Sequence, residues 1–349
     1  HPEHERAKIA RLYLGLTLSS LEKYGDAHAE LKLFIRNNPG SRNLADARYR
    51  LGECSYYEGK YEQTITELTD YLRKHESHTL SSWASLMIGE SHNSLKQYKK
   101  AELVLRPLLT SGVPRNITAD VTFALAMAMQ SQKESDQAIA LFERVVAMQS
   151  DAFSSRAQAR IGTIYFQNEE YAKSSRAYDL LVEKWPAKDI VPAATLQSAI
   201  AQFKLNEYDA ALERLKRVPA DSSSARRAAF WIGMCYQKLD RLDEARTTLL
   251  KVYEDAGDPA MAASVLFKRA QLEALDNQPA KAAQMYLDLA TRWPTSRNAT
   301  DSLINATDRF MGLENFAEAR RTFGQLQSVS AETKTSFPVR LLEARLLIA

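Results

Sequence analysis

Small, apolar and polar positions follow one another along this chain in a pattern that repeats about every 37 residues. The pattern starts with a small residue, which recurs at Gly15, Gly52, Gly89, Ala126, Gly162, Ala199, Gly233, Ala270, Thr307 and Ala344. A second small residue follows twelve positions later, from Ala27 to Ala319, and a large apolar residue comes four positions after that, from Leu31 to Phe323. Residues i and i+4 share one face of a helix, so the pattern predicts two helices per repeat, which we call helix A and helix B.

In five repeats a tyrosine stands between the two small residues, at Tyr24, Tyr61, Tyr98, Tyr171 and Tyr208. One helix pair cannot bury its apolar face alone, but stacked neighbours can. The sequence therefore predicts an all-α fold, a single solenoid over residues 1–349 with about nine helix pairs and a partial tenth. Repeats are expected to begin near residues 8, 45, 82, 119, 155, 192, 226, 263 and 300, with the partial repeat from 337.

Proline positions test this frame independently, because a proline inside a helix costs about 3 kcal/mol. Of the 11 prolines, all except Pro107 fall outside helices, at a helix end or in a first turn of the frame. Pro107 falls in the last turn of the third helix B, so that helix is expected to end early.

These residues resemble the tetratricopeptide repeats. The family pattern of Leu-Gly, tyrosine, small residue, aromatic and proline is legible in Ile161-Gly162, Tyr165, Tyr171, Ser174, Tyr178 and Pro186. Two departures are a period of 37 residues, longer than is usual in the family, and the absence of tryptophan at the opening aromatic position. The resemblance implies a right-handed superhelical solenoid that binds proteins.

A narrower resemblance concerns the connections between repeats. Pro39-Gly40-Ser41-Arg42-Asn43 and Trp293-Pro294-Thr295-Ser296-Arg297-Asn298 look like connections in bacterial outer-membrane assembly lipoproteins and in the periplasmic coordinator associated with the Tol–Pal system. This likeness implies a periplasmic or otherwise extracytoplasmic location, with the cytoplasm as the open alternative.

In the family, side chains of helix A line a concave groove, so the resemblance implies a partner-binding surface on this side. The candidate contacts are the aromatic residues Tyr49, Tyr56, Tyr57, Trp83, Phe123, Phe166, Phe203, Phe230 and Phe267, and the cations Lys204, Arg227 and Lys238. Each phenylalanine has the alternative role of packing against the neighbouring repeat. The fifth place of helix A never holds lysine, which excludes the family's clamp for chaperone tails.

Charges along the expected groove are segregated. Asp46, Glu53, Glu90 and Asp120 fall in the first four repeats, and Arg156, Lys204, Arg227 and Lys238 in the next three. Asp301 and Asp308 close the array. This order predicts a bipolar partner whose acidic part lies near the centre, because complementary charge sets orientation and association rate.

Catalytic and cofactor motifs are absent from the sequence. It contains no dinucleotide fingerprint, Walker loop, nucleophile elbow or Cys-x-x-Cys. His75 and His78 have a spacing that suits two metal ligands, but no third ligand is evident, and we interpret them as part of a solvated turn. Cys54 and Cys235 occupy the same place in their repeats and are interpreted as buried structural thiols. No enzyme activity, cofactor or metal is expected.

Composition narrows the class of partner. The net charge of +3 gives no reason to expect nucleic acid or an anionic membrane as a partner. The longest apolar stretch, Val121 to Met129, is shorter than the ~20 residues of a membrane-spanning helix, so no direct insertion is expected. The apolar residues close to Ala349 suggest a piece of a longer protein.

The sequence therefore predicts a non-enzymatic scaffold that binds a protein or peptide along an aromatic groove. Two alternatives stay open, and the oligomeric state stays unknown. One is the non-catalytic arm of a larger enzyme, such as a cell-wall lytic enzyme. The other is a self-assembling array in which Leu346 and Ile348 pair two chains.

Overall fold

A computed structural model describes residues 5–328 and 336–348 of the chain. All regular elements in these ranges are helical, which confirms the predicted all-α fold of tetratricopeptide-type helix pairs. The helices divide into two compact units, unit 1 over His1–Glu170 and unit 2 over Tyr171–Ala349.

Unit 1 consists of consecutive helices in which each packs against the next along the chain. A short 3₁₀ turn, Arg115–Ile117, precedes the seventh helix. The helices are α1 (Glu5–Ser20), α2 (Tyr24–Asn37), α3 (Leu44–Tyr57), α4 (Tyr61–Lys74), α5 (Ser81–Ser94), α6 (Tyr98–Ser111), α7 (Thr118–Ser131), α8 (Ser135–Ala147) and α9 (Ser154–Gln167).

Unit 2 continues the same alternation of helix B and helix A. Its shortest helix is α12, a helix B of 8 residues that ends four residues before Pro219. The helices are α10 (Tyr171–Lys184), α11 (Val191–Lys204), α12 (Tyr208–Leu215), α13 (Ala225–Lys238), α14 (Leu242–Glu254), α15 (Pro259–Leu275), α16 (Pro279–Arg292), α17 (Ala299–Gly312), α18 (Phe316–Gln327) and α19 (Phe337–Ile348).

The two ladders of small residues mark where helix A touches helix B. A Cβ atom added to Gly52 in α3 would lie 2.4 Å from Cδ2 of Leu68 in α4, and Gly233 in α13 shows the same approach to Leu249 at 2.7 Å. Both leucines are fully buried. The small residue therefore creates the socket that the leucine of helix B fills.

The turn from helix A to helix B has one conformation throughout. The residue two places before helix B has a positive φ in every described turn of this kind, from Glu22 at 59° to Glu314 at 57°. The next backbone N–H donates to the carbonyl five residues earlier, as Lys60 does to Ser55 at 2.9 Å. This pattern ends each helix A with a Schellman motif and fixes the angle at which the chain turns back.

Pro107 does not end its helix early, so that expectation was wrong. Helix α6 runs four residues past it, to Ser111. Pro107 lies on the exposed side of the helix. The carbonyl that loses its N–H partner there can be hydrated, and the helix can bend away from the ring, so the proline is tolerated.

The cysteine interpretation is confirmed, and the histidine interpretation is corrected. Cys54 and Cys235 are free and buried, and burial raises the pKa of their thiols to about 11 and about 12, respectively. His75 and His78 are only half-exposed, because both rings pack around Tyr71. The Tyr71 hydroxyl lies 2.8 Å from Nδ1 of His78, so this turn is tied to α4.

The socket geometry predicts that Gly89→Ala destabilises unit 1. A Cβ atom at Gly89 would lie 2.4 Å from both Cγ and Cδ2 of the buried Leu105, so α5 and α6 must separate. Overpacking of this kind costs about 1–3 kcal/mol of unfolding free energy. Thermal and urea unfolding followed by circular dichroism measures the change.

The matched control is Gly324→Ala in α18, where an added Cβ meets nothing within 4 Å. This exposed helical position should gain up to about 1 kcal/mol from the better helix propensity of alanine. Equal shifts for the two variants would show that the close approach of Gly89 to Leu105 does not matter.

Candidate functional site

Within each unit, helices A approach one another more closely than helices B do. In unit 1, α1 contacts α3, α3 contacts α5, and α5 contacts α7; in unit 2, α11 contacts α13 and α17 contacts α19. No comparable contact joins successive helices B in the described residues. Side chains of helices A therefore converge on a shared surface, which we call the helix A face of each unit.

A cluster of tyrosines lies at the end of α3, where the chain turns into α4. Tyr57 stacks on Tyr24 with ring centroids 5.0 Å apart, and Tyr56 meets Tyr57 edge to face at 5.4 Å. Tyr61 closes the cluster 6.2 Å from Tyr56. Tyr57 is 53% exposed, although its ring contacts two other tyrosines. The half-buried rings of Tyr24, Tyr56 and Tyr61 therefore hold one exposed ring, that of Tyr57, at the surface.

Glu90 of α5 connects this cluster to the middle of the helix A face. The hydroxyl of Tyr56 donates to Oε2 of Glu90 at 3.0 Å. Burial raises the pKa of the Glu90 carboxyl, the neighbouring Asp120 raises it further, and the Tyr56 hydrogen bond and Arg156 oppose the rise. Burial also raises the pKa of Asp120. This part of unit 1 therefore holds two carboxylates that are poorly solvated.

Two of the predicted aromatic contacts are core residues. Tyr49 is 3% exposed and packs edge to face on Tyr71, and Phe123 is 7% exposed and packs on Phe142. The fifth place of helix A points at the adjacent helix B here, so these rings stabilise the repeat stack. The guanidinium of Arg156 lies over the Phe123 ring, 5.0 Å from its centroid, and covers it.

Trp83 and Phe166 take intermediate positions in unit 1. Both are half-buried, Trp83 in α5 and Phe166 in α9. Trp83 packs against the cluster around Tyr71 and Met87. Part of each ring is accessible at the helix A face, so both stay candidate contacts.

The helix A face of unit 2 carries a chain of edge-to-face aromatic contacts. Phe203 of α11 meets Trp231 of α13 at 5.0 Å, and Phe230 meets the same tryptophan at 5.9 Å. Phe267 of α15 packs on the buried Tyr286 at 5.5 Å. Phe203, Phe230 and Phe267 are all half-buried, so each serves both packing and surface.

Unpaired cations accompany these rings. Lys204, Arg227 and Lys238 are exposed, and in the described part of unit 2 none of them has a carboxylate within ion-pair distance. Lys268 lies 5.8 Å from the Phe267 ring centroid. Burial lowers the pKa of Lys268, and the nearby charges of Lys238 and Arg297 lower it further. Positive charge therefore accumulates in this region without compensation.

Several residues of these surfaces escaped the sequence reasoning. Trp231, Lys268 and Arg297 are among them, because they lie outside the places that the family pattern marks as groove positions. Conversely, Glu53, expected as a groove charge, is buried and accepts from Arg50 at 2.6 Å. A run of charge along the sequence does not show which carboxylates find a partner within their own helix.

Neither a metal centre nor a membrane-spanning helix is found in the described parts of the chain. Within residues 5–328 and 336–348, no group of three or more His, Cys, Asp or Glu side chains is placed to hold a metal ion. No helix in the same ranges is long and apolar enough to cross a bilayer.

Comparison with known families matches three segments of the chain, residues 46–78, 123–189 and 196–261, to models described as tetratricopeptide repeat. The chain contains tetratricopeptide repeats. Repeats of this kind generally mediate protein–protein interactions. No curated protein matches the chain.

Several solved structures resemble the fold. The C-terminal part of a repeat-containing protein from Cytophaga hutchinsonii has a TM-score of 0.61 at 14% identity, covering 73% of this chain and 99% of that one. Apo RapI has a TM-score of 0.58 at 12% identity, covering 87% and 97%. PilW, described as a widely conserved type IV pilus biogenesis factor, has a TM-score of 0.51 at 17% identity, covering 66% and 100%. At these identities the likeness shows the fold alone.

The structure of α19 corrects which residues are available for the predicted self-assembly. Leu346 is buried against α17 and α18, so it cannot pair two chains as expected. Ile348 is exposed, together with Phe337, Leu341 and Leu347. These exposed apolar side chains, and not Leu346, are the ones that a second chain could contact.

The surroundings of Glu90 predict a pH-dependent stability of unit 1. Because the folded-state pKa is raised, Glu90 contributes stability below its ordinary pKa, and this contribution is lost as the pH rises through the folded value. Glu90→Gln should therefore raise the melting temperature at neutral pH and change it little around pH 4. Melting followed by circular dichroism at both pH values measures this.

Glu143→Gln on the exposed side of α8 is the control for removing one charge. It should change the melting temperature little at either pH. If Glu90→Gln lowers the melting temperature at neutral pH, the ionised carboxylate is stabilising and the expected sign is wrong.

Proposed function

We propose that this chain is a non-enzymatic scaffold that binds a segment of a protein partner along the helix A faces of its repeats. The observation that carries the proposal is the tyrosine cluster at the end of α3. Its Tyr57 ring is 53% exposed yet ordered, because it stacks on Tyr24 and meets Tyr56 edge to face. Tyrosine offers a partner a large rigid ring and a hydroxyl at low entropic cost, which is typical of interaction hot spots.

The neighbouring groups support a role in recognition. Tyr56 and Glu90 form a hydrogen-bonded pair next to the exposed ring of Tyr57, so an apolar contact and a charged contact lie side by side. Unit 2 adds half-buried aromatic rings beside unpaired cations. This alternation suits a partner whose charges differ along its length.

We infer an extracytoplasmic, bacterial-envelope location from the turn sequences Pro39–Asn43 and Trp293–Asn298. PilW, one structure of similar fold, is described as a type IV pilus biogenesis factor. Its similarity concerns the fold, and the inferred location rests on the turn sequences.

The test is a comparison of two single variants as baits. Tyr57→Ala removes the exposed ring of the cluster and should weaken partner retention at least about tenfold, the effect of losing a hot spot. Leu103→Ala removes an apolar side chain that is even more accessible, 74% exposed on helix B, and should leave retention unchanged. Circular dichroism of both variants checks that the helices are intact.

Captured proteins are identified by mass spectrometry, purified and titrated against each bait by calorimetry. A partner lost by Tyr57→Ala and kept by Leu103→Ala supports the helix A face as the binding surface. Equal affinity for both variants would show that binding does not depend on the tyrosine cluster.

A further inference from the structure

An open cavity of about 630 Å³ lies in unit 2, between the starts of α13 and α15 and the turn that joins α16 to α17. Arg227 lines one side, and Arg297 lines another. Met261 and Trp293 form the apolar part of the wall, and Ser296 adds a hydroxyl group. We call this cavity the Arg227–Arg297 pocket.

The pocket is built on ordered elements. Trp293 is the C-cap residue of α16 and packs against the core leucines Leu266 and Leu289. The backbone N–H of Ser296 donates to the carbonyl of Trp293 at 2.9 Å, and its hydroxyl oxygen accepts from the N–H of Asn298 at 3.3 Å. The Ser296 hydroxyl hydrogen is not used by that bond and can be donated to a ligand.

In the part of the chain that the structure describes, the two arginines of the pocket are not paired with carboxylates. Arg227 and Arg297 are exposed, and in the described residues neither forms an ion pair within 4 Å. Asp258, the acidic residue at the start of α15, caps that helix by accepting from the Met261 N–H at 2.8 Å. Lys268 adds a further cation close enough to Arg297 for the two charges to repel.

The chemistry of the wall indicates which anion fits. Guanidinium groups match the geometry of carboxylates and can bind them bidentately. The aromatic and thioether side chains of Trp293 and Met261 offer an apolar contact directly beside that charge. A free inorganic anion would use only the first of these features, whereas a peptide that places an acidic residue next to an apolar one uses both.

We propose that the Arg227–Arg297 pocket binds an acidic segment of the protein partner, with a Glu or Asp side-chain carboxylate between the two arginines and an adjacent aliphatic residue on Trp293 and Met261. This inference rests on the proposed scaffold function and assigns the chemistry of the segment that unit 2 receives. The proposal agrees with the order of charges along the sequence, from which we expected the acidic part of a partner to lie at these repeats.

The experiment uses a short fluorescein-labelled peptide of alternating Glu and Leu, with acetylated and amidated ends so that only side chains carry charge. Fluorescence anisotropy measures its binding to the full chain. The double variant Arg227→Gln/Arg297→Gln should weaken binding at least about tenfold, because each charge-assisted bond is worth more than a neutral one.

The control is Arg217→Gln/Arg320→Gln, which removes the same charge from two exposed arginines of unit 2 outside the pocket. Its affinity should stay within about twofold of the unchanged chain. Equal losses in the two double variants would mean general charge attraction and overturn the pocket. Equal binding of a peptide with Gln in place of Glu would overturn the carboxylate assignment.

Inorganic phosphate separates a peptide site from a simple anion site. Phosphate should compete only weakly; if it binds as tightly as the Glu–Leu peptide and depends on the same two arginines, the peptide assignment is wrong. A partner that is lost by Tyr57→Ala but kept by Arg227→Gln/Arg297→Gln overturns the pocket and leaves the scaffold function standing. If the Tyr57→Ala bait retains every partner, the result contradicts the proposed scaffold surface itself, whatever the peptide experiment shows.

Discussion

The contact on which each repeat depends is the approach of helix A to helix B at a small residue. Gly52 and Gly89 leave no room for a Cβ atom, because Leu68 and Leu105 occupy that space. Two helices that meet this closely bury a leucine completely and exclude water from their contact. The geometry of this pair sets the angle of the helices, and the angle decides which side chains of helix A reach the surface.

The turn between the two helices supports the same geometry from the backbone. In all but one of the described turns a non-glycine residue has a positive φ two places before helix B, and Gly59 is the exception. A non-glycine residue in this region costs roughly 1 kcal/mol or more, which the Schellman hydrogen bonds and the packing of the helix pair offset. The repeats therefore keep one turn shape with different residues, and the surfaces built on them vary independently of the scaffold.

The proposed function rests on aromatic rings at the surface and on charged groups that have no ion-pair partner in the described repeats. Unit 1 presents the exposed Tyr57 ring beside poorly solvated carboxylates, and unit 2 presents aromatic rings beside unpaired cations. Packing within the repeats explains Tyr49 and Phe123, but it does not explain an exposed ring at Tyr57 or two unpaired arginines around an open cavity. A partner that supplies apolar and charged groups to these surfaces accounts for both features.

The repeat pattern was enough to predict the fold class, the helix pairs and the residues at their contacts. This was possible because a small residue followed by a leucine sixteen positions later must recur whenever the same packing recurs, as Gly52 and Leu68 show. The packing of the helices determines which aromatic rings are exposed, because Tyr49 and Tyr56 occupy the same helix and differ in the neighbour that each one faces. It also revealed the Arg227–Arg297 pocket, since its two arginines lie 70 positions apart and meet only when α13 and the α16–α17 turn are packed around α15.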